Sequence, residues 1–471
     1  MSPQTAQINE PAVSPDPSAA AVRTSVAAAN RDRIWMIAGV ALATGLVGLF
    51  VTIGADARWL AALGRVIVAR GAIPRGVPFA SASTAHWANT LVFAELIFHA
   101  LESAFGDRGL AVAELVAVAA GLGILAQDAR SEGARPSQIA VTLLLVTVAA
   151  FPSLAVARVQ MFSLVLFPAL LALLRAEERR PSTRIWLALP LLALWSNLHG
   201  AALVGLAVLY AYLALSRFRR QRLQAIGVAL GALVALCVTP AGISTISYYH
   251  GLLTNVAAQQ GVGQWAPLGA SPFDWVTVAV VVALVFRLRR RLPRLWEIAA
   301  MIGLAALTVK AARDGVWLLF MLVAPAAWDG RERGRWGGLA PGLAVFGLLL
   351  IVMDLAKAPH PSGVSQRMVS QAIEMAHGTP ILADGLPAEQ VALAGGRVWA
   401  GNPLDAFSHR VQTEYVDFIQ GTAGGRAALS AQGVRYALVT RGSAAASLTA
   451  HDRRYTEVAS DATAVLYGAA R

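Results

Sequence analysis

Long apolar blocks separated by short polar links make up most of the chain from residue 34 to residue 356. A helix of about 20 residues crosses the roughly 30 Å hydrocarbon core of a bilayer, and several blocks approach that length. The pattern predicts an α-helical polytopic membrane protein with about 11 transmembrane helices, one for each block. The blocks lie near residues 34–54, 109–127, 139–157, 160–175, 185–198, 201–216, 223–239, 275–287, 295–310, 315–328 and 338–355.

Arginine is concentrated in the short links between blocks, and this concentration predicts the orientation of the helices. Basic links stay in the cytoplasm. All of them fall on that side if the stretch Thr90 to Phe105 does not cross but lies in the outer interface. The amino terminus is then cytoplasmic, and the long polar loops and the carboxyl terminus are extracytoplasmic. The basic links lie at residues 23–33, 130–135, 175–184, 217–222, 287–294 and 331–335.

The two ends of the chain differ from the apolar blocks in composition. Residues 1–33 are rich in Ala, Ser, Pro and Thr, which predicts a disordered cytoplasmic tail. Residues 357–471 alternate short strand-like and helix-like segments between Gly and Pro turns, which predicts a small extracytoplasmic α/β domain. Between them lies the transmembrane domain, residues 34–356, whose outer loop 55–108 is expected to carry interfacial helices.

Overall composition narrows the classes of function. Hydrophobic residues make up 56% of the chain and charged residues only 14%, against about 25% charged residues in soluble domains. The formal net charge of +12 does not indicate nucleic-acid binding, because the arginines occupy topology links rather than one contiguous basic face. The single cysteine, Cys237, excludes an intrachain disulfide and a cysteine metal cluster.

Candidate chemistry begins at Asp56, which directly follows the first block. A carboxylate at the membrane boundary is costly, and Asp56 fits a general base for a hydroxyl nucleophile in a partly desolvated cleft. Pairing with Arg58, or capping the next helix, explains the same residue without any chemistry. Farther along, Glu95, His99 and Glu102 are spaced four and three residues apart, so they form one polar stripe on the interfacial helix.

Two tight outer turns carry further polar side chains. Arg158 and Gln160 lie in ARVQMF, and Arg158 faces outward against the general arginine pattern. Its guanidinium group suits phosphate oxygens, and a pair with Glu95 is the alternative. Asn197 and His199 lie in LWSNLHG. Asn197 reads sugar hydroxyls or caps the following helix, and His199 contacts an anion, shuttles a proton or is structural.

A third outer turn contains Lys310 and Arg313. With Arg158 and His199 these residues would make the outer cleft cationic, as a lipid-linked phosphate requires. Self-pairing of Arg313 with a neighbouring aspartate, Asp314 or Asp274, is the alternative.

In the outer loop before this turn, Trp265 either stacks on a sugar ring or sits in the interfacial aromatic belt. No second histidine stands at metal-ligand spacing. No cofactor and no metal site are therefore predicted, although a divalent cation is not excluded.

Several short motifs follow one another in a characteristic order: Asp56; Trp59, Gly64, Ile67, Gly71, Ile73 and Pro74; Pro78-Phe79; Trp87 and Asn89; Arg158, Gln160 and Phe162; and Trp195, Asn197, His199 and Gly200. In this order they resemble the GT-C superfamily of polyprenyl-phosphate-dependent glycosyltransferases, in particular a large bacterial branch of membrane proteins. The resemblance covers the chain from about residue 34 to its end, and WSNLHG is its most specific piece.

The resemblance implies a plasma (inner) membrane enzyme that moves a sugar from a polyprenyl-phosphate donor to an acceptor on the outer face. Asp56 and Glu95 are then the catalytic carboxylates. Contacts to the lipid phosphate and the substrate would come from Arg158, Gln160, Asn197, His199, Lys310, Arg313 and Trp265. The chain departs from the branch where Leu60 replaces a frequent histidine and where Ala57, Val77 and Gln264 replace frequent acidic residues.

The missing acidic positions motivate a second hypothesis, a catalytically inactive relative that acts as a binding or assembly partner in envelope polysaccharide synthesis. A transporter is a third hypothesis. It is disfavoured because the chain shows no internal repeat and no charged residue in mid-membrane. Membrane lipids are expected partners in each case, whereas the sugar, the acceptor and the oligomeric state are not specified by the sequence.

Overall fold

The computed structural model describes residues 17–84, 86–328, 339–357 and 359–470. These residues are mainly helical, with a four-stranded sheet near the carboxyl end and a two-stranded pairing earlier in the chain. The predicted basic link at residues 331–335 lies outside the described residues.

The helices and strands up to residue 236 are α1 (Pro17–Gly48), β1 (Thr52–Ile53), α2 (Ala57–Arg70), α3 (Val92–Ser131), α4 (Pro136–Ala149), α5 (Phe151–Leu154), β2 (Val156–Ala157), α6 (Met161–Arg179), α7 (Ala188–Ser196), α8 (Ala202–Tyr212), α9 (Phe218–Arg220) and α10 (Arg222–Leu236). A π-helical turn, Leu213–Arg217, joins α8 to α9. The helices that follow are α11 (Thr245–Thr254), α12 (Val256–Gln260), α13 (Asp274–Leu288), α14 (Leu295–Lys310), α15 (Gly315–Ala327) and α16 (Ala340–Ala356).

The terminal domain contains α17 (Gln366–Ala376), β3 (Ile381–Ala383), α18 (Gly385–Leu393), α19 (His409–Gln420), α20 (Arg426–Leu429), β4 (Tyr436–Thr440), α21 (Ala444–Ala450), β5 (Tyr455–Ser460) and β6 (Ala464–Ala469). Its strand order is β3-β4-β6-β5. β3 runs parallel to β4, and β6 runs antiparallel to both β4 and β5.

Every apolar block of the sequence contains a helix in the described part of the chain: α1, α3, α4, α6, α7, α8, α10, α13, α14, α15 and α16. By length and composition, Val92–Ser131 and Ala202–Arg220 are long and apolar enough to cross a membrane. Shorter apolar helices are Pro136–Ala149, Thr183–Ser196, Arg222–Leu236 and Ala340–Ala356. The number of crossings stays a prediction.

The first helix is longer than the sequence pattern predicts. α1 begins at Pro17, so residues 17–33 of the expected disordered tail are helical. Alanine is the strongest helix former, and its abundance in this segment outweighs the lack of a hydrophobic face. α1 packs on α16 and α4. Gly347 permits this close approach, because a Cβ atom there would lie 2.5 Å from the backbone nitrogen of Leu42.

Within the stretch Thr90 to Phe105, the residues from Val92 onward form the first part of α3, and the helix then bends sharply. Gly106 has φ 59° and ψ −154°, a conformation open essentially to glycine alone. The first part packs against α2, where a Cβ atom at Gly64 would meet the backbone oxygen of Glu95 at 2.1 Å. The bend therefore separates a segment lying beside α2 from the longer apolar part of the helix.

The arginine-rich links meet at one end of the helical bundle. Glu132 pairs with Arg294 at 2.8 Å and also with Arg179, so three links contact one another. A fourth link joins through Arg220 and Glu178, which lie 3.0 Å apart. These four links thus share one end, as the charge pattern predicts. Which side of the membrane this end faces stays a prediction.

A buried ion triad ties the helices together near the same end. Arg175 on α6 donates from Nη1 to Asp128 Oδ2 on α3 at 2.6 Å and from Nε to Glu297 Oε1 on α14 at 2.8 Å. Its Nη2 also donates to the backbone oxygen of Met321 on α15. All three charged side chains are buried. Buried charges are tolerated when they are paired in this way.

The outer loop 55–108 and the terminal domain share one hydrophobic core. Trp59, Leu63 and Phe79 pack with the buried residues of the terminal sheet and its helices. The backbone joins as well, because Val398 N–H donates to Phe79 O and Ser81 N–H donates to Val398 O, each at 2.9 Å. The Pro78-Phe79 motif therefore belongs to the contact between the loop and the terminal domain.

Candidate functional site

A cavity of about 460 Å³ lies between the end of the helical bundle opposite the basic links, the outer loop and the terminal domain. It brings together residues that are far apart in the sequence. Most of the predicted site residues line it: Asp56, Glu95, Arg158, Gln160, His199, Trp265 and Arg313.

Two short strands place Asp56 next to Arg158. β1 pairs in parallel with β2, and Gly54 N–H donates to Ala157 O at 3.0 Å. Asp56 then precedes α2, with φ 80° and no hydrogen bond from its side chain to the helix end. Arg58 pairs instead with Asp107 at 2.7 Å. Capping and pairing with Arg58, the two non-chemical explanations for Asp56, are therefore wrong.

The environment of Asp56 changes its acidity in two opposing ways. Removal from water raises the pKa of the Asp56 carboxyl, and the nearby positive charges of Arg158 and then Arg313 partly offset this rise. The net effect is upward. Asp56 thus holds a proton more readily than an aspartate in water does, while facing two guanidinium groups.

Arg158 and Arg313 converge on one neutral oxygen. Arg158 Nη1 donates to Gln264 Oε1 at 2.8 Å, and Arg313 Nη1 lies 3.3 Å from the same atom. The Arg313 guanidinium also stacks 3.8 Å from the ring centre of Trp265. Ala312 N–H donates to Ala266 O and holds the two turns together. Arg313 thus contacts Gln264 and Trp265. Of the two aspartates proposed as its alternative partners, Asp314 lies close enough for its charge to interact with that of Arg313.

His199 lies beside these arginines but does not add to their charge. Removal from water, and then the charges of Arg313 and Arg158, lower its pKa to about 3. The imidazole is therefore neutral near pH 7, and the expectation that it makes the cleft cationic is wrong. Ser163 Oγ lies 2.6 Å from His199 Nδ1 and accepts the indole N–H of Trp195 at 2.6 Å. These two hydrogen bonds fix the orientation of the His199 ring.

Glu95 is fully buried on the first part of α3. Its Oε2 accepts the amide Nδ2–H of Asn89 at 2.6 Å, whereas Oε1 has no hydrogen-bond partner among the described residues. Arg158 donates to Gln264 rather than to Glu95, so the alternative explanation of Arg158 as the partner of Glu95 is wrong.

Asn197 and Lys310 are not among the residues that line the cavity. Asn197 donates from Nδ2 to the backbone oxygens of Ala193 and Val238, which ties the end of α7 to the end of α10. Lys310 is exposed in the last turn of α14. The Asn197 side chain is thus explained locally by helix packing.

Two buried carboxylates near the site were missed from the sequence. Glu114 is 1% exposed on α3 and lies close enough to Arg158 for their charges to interact. As the lone carboxylate of block 109–127 it gave a visible signal. Glu389, in the terminal domain, accepts a hydrogen bond from the backbone of Asp56.

The terminal domain covers the cavity. Asn402 and Asp405 line it, and Asp405 Oδ2 accepts the indole N–H of Trp87 at 3.0 Å. Burial raises the pKa of Asp405 to about 6. The site is therefore composed of the outer loop, the turns of the helical bundle and the terminal domain.

A second, apolar cavity of about 670 Å³ lies along α3 and α6. Its lining includes Phe105, Val116, Phe162 and Val165, with Arg108 at one position. Among the described residues, no group of three or more His, Cys, Asp or Glu side chains is placed to hold a metal ion.

No protein-family model and no curated protein matches the chain. Among solved structures, the chain is similar to ArnT from Cupriavidus metallidurans bound to undecaprenyl phosphate, with a TM-score of 0.52 and 12% identity over 95% of this chain and 98% of that one. The apo structure of ArnT gives a TM-score of 0.48 and 13% identity over 96% and 98%. The first likeness shows that the chain has the fold of ArnT over nearly its whole length.

Proposed function

We propose that this chain, which has the GT-C fold of ArnT, is a membrane glycosyltransferase that moves a sugar from a polyprenyl-phosphate donor to an acceptor on the outer face. The observation that carries the proposal is the cavity in which Asp56 faces the converging guanidinium groups of Arg158 and Arg313. Undecaprenyl phosphate bound to ArnT supports a lipid phosphate as the donor group.

The two arginines form the phosphate site of this proposal. Both donate to a single neutral oxygen of Gln264, so two positive charges lie close together and each guanidinium uses only one of its N–H groups for this contact. Phosphate oxygens accept parallel hydrogen bonds from guanidinium groups and neutralise their charge. A lipid phosphate therefore replaces Gln264 as the partner of both side chains, and Trp265 keeps Arg313 in place by stacking.

Asp56 is the general base. The acceptor hydroxyl oxygen attacks the anomeric carbon of the sugar, the bond from that carbon to the phosphate oxygen breaks, and its electron pair stays on the polyprenyl phosphate. Asp56 takes the hydroxyl proton. Its raised pKa moves its basicity toward neutral pH, which favours proton transfer. Arg158 and Arg313 stabilise the departing phosphate, whose negative charge increases during the step.

The apolar cavity along α3 and α6 fits the polyprenyl chain. It adjoins the polar site, because Met161 and Phe162 directly follow the Arg158–Gln160 turn. Its lining is almost entirely hydrocarbon, so it takes up a lipid tail while the head group lies at the arginines. This arrangement supports a reaction at the membrane boundary, which we propose to be that of the plasma (inner) membrane.

Turnover by the purified protein tests the proposal. The protein in lipid nanodiscs is given a panel of undecaprenyl-phosphate-linked hexoses and pentoses with an envelope-lipid extract as acceptor, and released undecaprenyl phosphate is quantified by mass spectrometry. Asp56→Asn is expected to lower the rate about 100-fold or more, because general base catalysis contributes factors of that size. Glu102→Gln, on the same outer loop but outside the cavity lining, is the matched control.

An Asp56→Asn variant that turns over as fast as the parent would show that Asp56 is not the base. If the purified protein contains bound undecaprenyl phosphate but releases none from any lipid-linked donor, the result would instead support the second hypothesis, a catalytically inactive relative that acts as a binding or assembly partner.

A further inference from the structure

We infer that Glu389, in the terminal domain, is a positioning residue that holds Asp56 in its working orientation. The inference rests on the proposed function for the role of Asp56. It adds that the extracytoplasmic domain is part of the catalytic apparatus and not only its cover.

The contact between the two residues is direct. The backbone N–H of Asp56 donates to Glu389 Oε1 at 2.8 Å, across 333 positions of sequence. Asn402 Nδ2 donates to the same oxygen at 2.9 Å and fixes the carboxyl from the other side. Glu389 is 0% exposed, so the bond is shielded from water. Shielded hydrogen bonds contribute more than exposed ones, because a lost partner leaves a desolvated polar group.

Asp56 needs such a partner for two reasons. Its φ of 80° lies in the left-handed region, which is unfavourable for a residue with a side chain. Its N–H also precedes the first turn of α2, where backbone donors have no partner within the helix. The carbonyl of Asp56 is already used, since it accepts Leu60 N–H at 2.9 Å. Glu389 therefore completes the backbone hydrogen bonding that sets the direction of the Asp56 side chain.

α18 is held against α2 at a second point. Arg65 Nη1 donates to Leu393 O at 2.6 Å and Nη2 donates to Ala392 O at 3.1 Å, so it caps the carboxyl end of α18. Arg65 on α2 therefore joins this helix to the terminal domain. Glu389 near the middle of α18 and its capped end thus fix the helix relative to Asp56.

The protonation of Glu389 suits this role. Burial, and then the negative charge of Asp56, raise its pKa to about 8, against smaller lowering effects from its hydrogen bonds and from Arg58. The charged and titratable groups around it are Asp56 and Arg58 at the start of α2 and Tyr415 on α19. Near pH 7 Glu389 is mainly neutral. It accepts the Asp56 N–H without placing a second negative charge beside the base.

Substitutions at residue 389 separate the hydrogen bond from the volume of the side chain. Glu389→Gln keeps a carbonyl-type acceptor and a neutral group, and we expect it to retain at least half of the parent kcat. Glu389→Met keeps the length but removes the acceptor, and we expect kcat to fall about 10- to 100-fold with KM within about twofold. Gln390→Met is the matched control, because Gln390 lies in the same helix as Glu389 and the substitution breaks two buried hydrogen bonds to the backbone of Val364.

Equal kcat values for Glu389→Met and the parent would overturn the inference, as would equal losses for Glu389→Met and Gln390→Met. Rescue by Glu389→Gln, together with a normal Gln390→Met variant, supports it.

Hydrogen–deuterium exchange provides a readout independent of turnover. The peptide covering residues 54–60 is expected to take up deuterium faster in Glu389→Met than in the parent, Glu389→Gln or Gln390→Met. If the parent shows no turnover but this pattern holds, the proposed function fails and the positioning contact stands. If turnover is normal and exchange is unchanged in Glu389→Met, the inference fails and the proposed function stands.

Discussion

Asp56, Arg158, His199 and Arg313 come from separate turns of the chain and line one cavity. The sequence allowed these residues to be grouped by their position, because each of their turns lies at the end of the bundle opposite the basic links. Glu389 gave no comparable signal, since its contact with Asp56 joins two segments that share no motif or periodicity. His199 also shows that residue type does not fix charge, because loss of water and then the neighbouring arginines lower the pKa of its ring and keep it neutral.

Substitution of Arg158 tests the proposed phosphate site. Arg158→Lys is expected to lower kcat/KM for the lipid-linked donor about tenfold or more, because an ammonium group cannot offer the paired donors of a guanidinium. Initial rates at several donor concentrations measure the effect. Lys310→Ala, at an exposed residue outside the cavity lining, serves as the control and is expected to match the parent. Parent-like kinetics of Arg158→Lys would remove Arg158 from the phosphate site.

A second prediction concerns pH and stability. The pKa of Glu389 rises from its usual 4.5 to about 8 in the folded protein. The folded state therefore binds this proton more tightly than the unfolded state. The associated stability is fully present below about pH 4.5, is lost progressively as pH rises toward about 8, and does not change further above that pKa. We expect the melting temperature in nanodiscs to fall between pH 6.5 and pH 9, a range spanning that pKa. The decrease is expected to be smaller in Glu389→Gln, and identical decreases would contradict the prediction.

Among the elements, helix positions followed directly from the apolar blocks, whereas the bend of α3 did not. Hydrophobicity alone makes Thr90 to Phe105 another crossing, and only the side of the basic links argued against it. The structure separates this stretch from the rest of α3 at Gly106. The start of α1 was predicted less well, because compositional bias toward Ala, Ser and Pro is shared by disordered and helical segments.

Substitution of Gly106 tests the bend of α3. Gly106→Ala is expected to destabilise the protein by about 1–3 kcal/mol, since its backbone angles are strained for any residue with a Cβ atom. Misorientation of Glu95 should lower activity as well. Thermal unfolding followed by intrinsic fluorescence measures the first effect. Gly123→Ala in the same helix, with open space around its Cβ position and ordinary angles, is the control and should be neutral or slightly stabilising.

For the whole molecule, the charge pattern predicted that the basic links share one end but not how their side chains pair. Arg175 was expected to mark topology, yet it lies buried between Asp128 and Glu297. The partners lie on three helices whose relative rotation no sequence period specifies. Long-range side-chain geometry of this kind therefore required the structure.

Arg175→Met tests the contribution of this triad. Removal of the Arg175 charge leaves the buried Asp128 without its ion pair and Glu297 with Arg294 alone, which is expected to cost about 3–5 kcal/mol. The melting temperature should drop accordingly. Because mesophile proteins typically melt only about 10–30 °C above a growth temperature of about 37 °C, we expect most of the variant to aggregate when cells are grown at that temperature. Arg410→Ala, which breaks the exposed pair with Glu414, should leave the melting temperature unchanged. Equal effects of the two substitutions would contradict a structural role for the triad.

The common core of the outer loop and the terminal domain has a consequence for biosynthesis. Trp59, Leu63 and Phe79 leave the ribosome long before the strands that shelter them, and β6 is the last of those strands. Until the terminal domain has folded, these apolar side chains lack their cover and Glu389 is not held against Asp56. Under the proposed function, a half-made polypeptide would therefore not act on lipid-linked sugars, and activity would begin only after the terminal domain has folded.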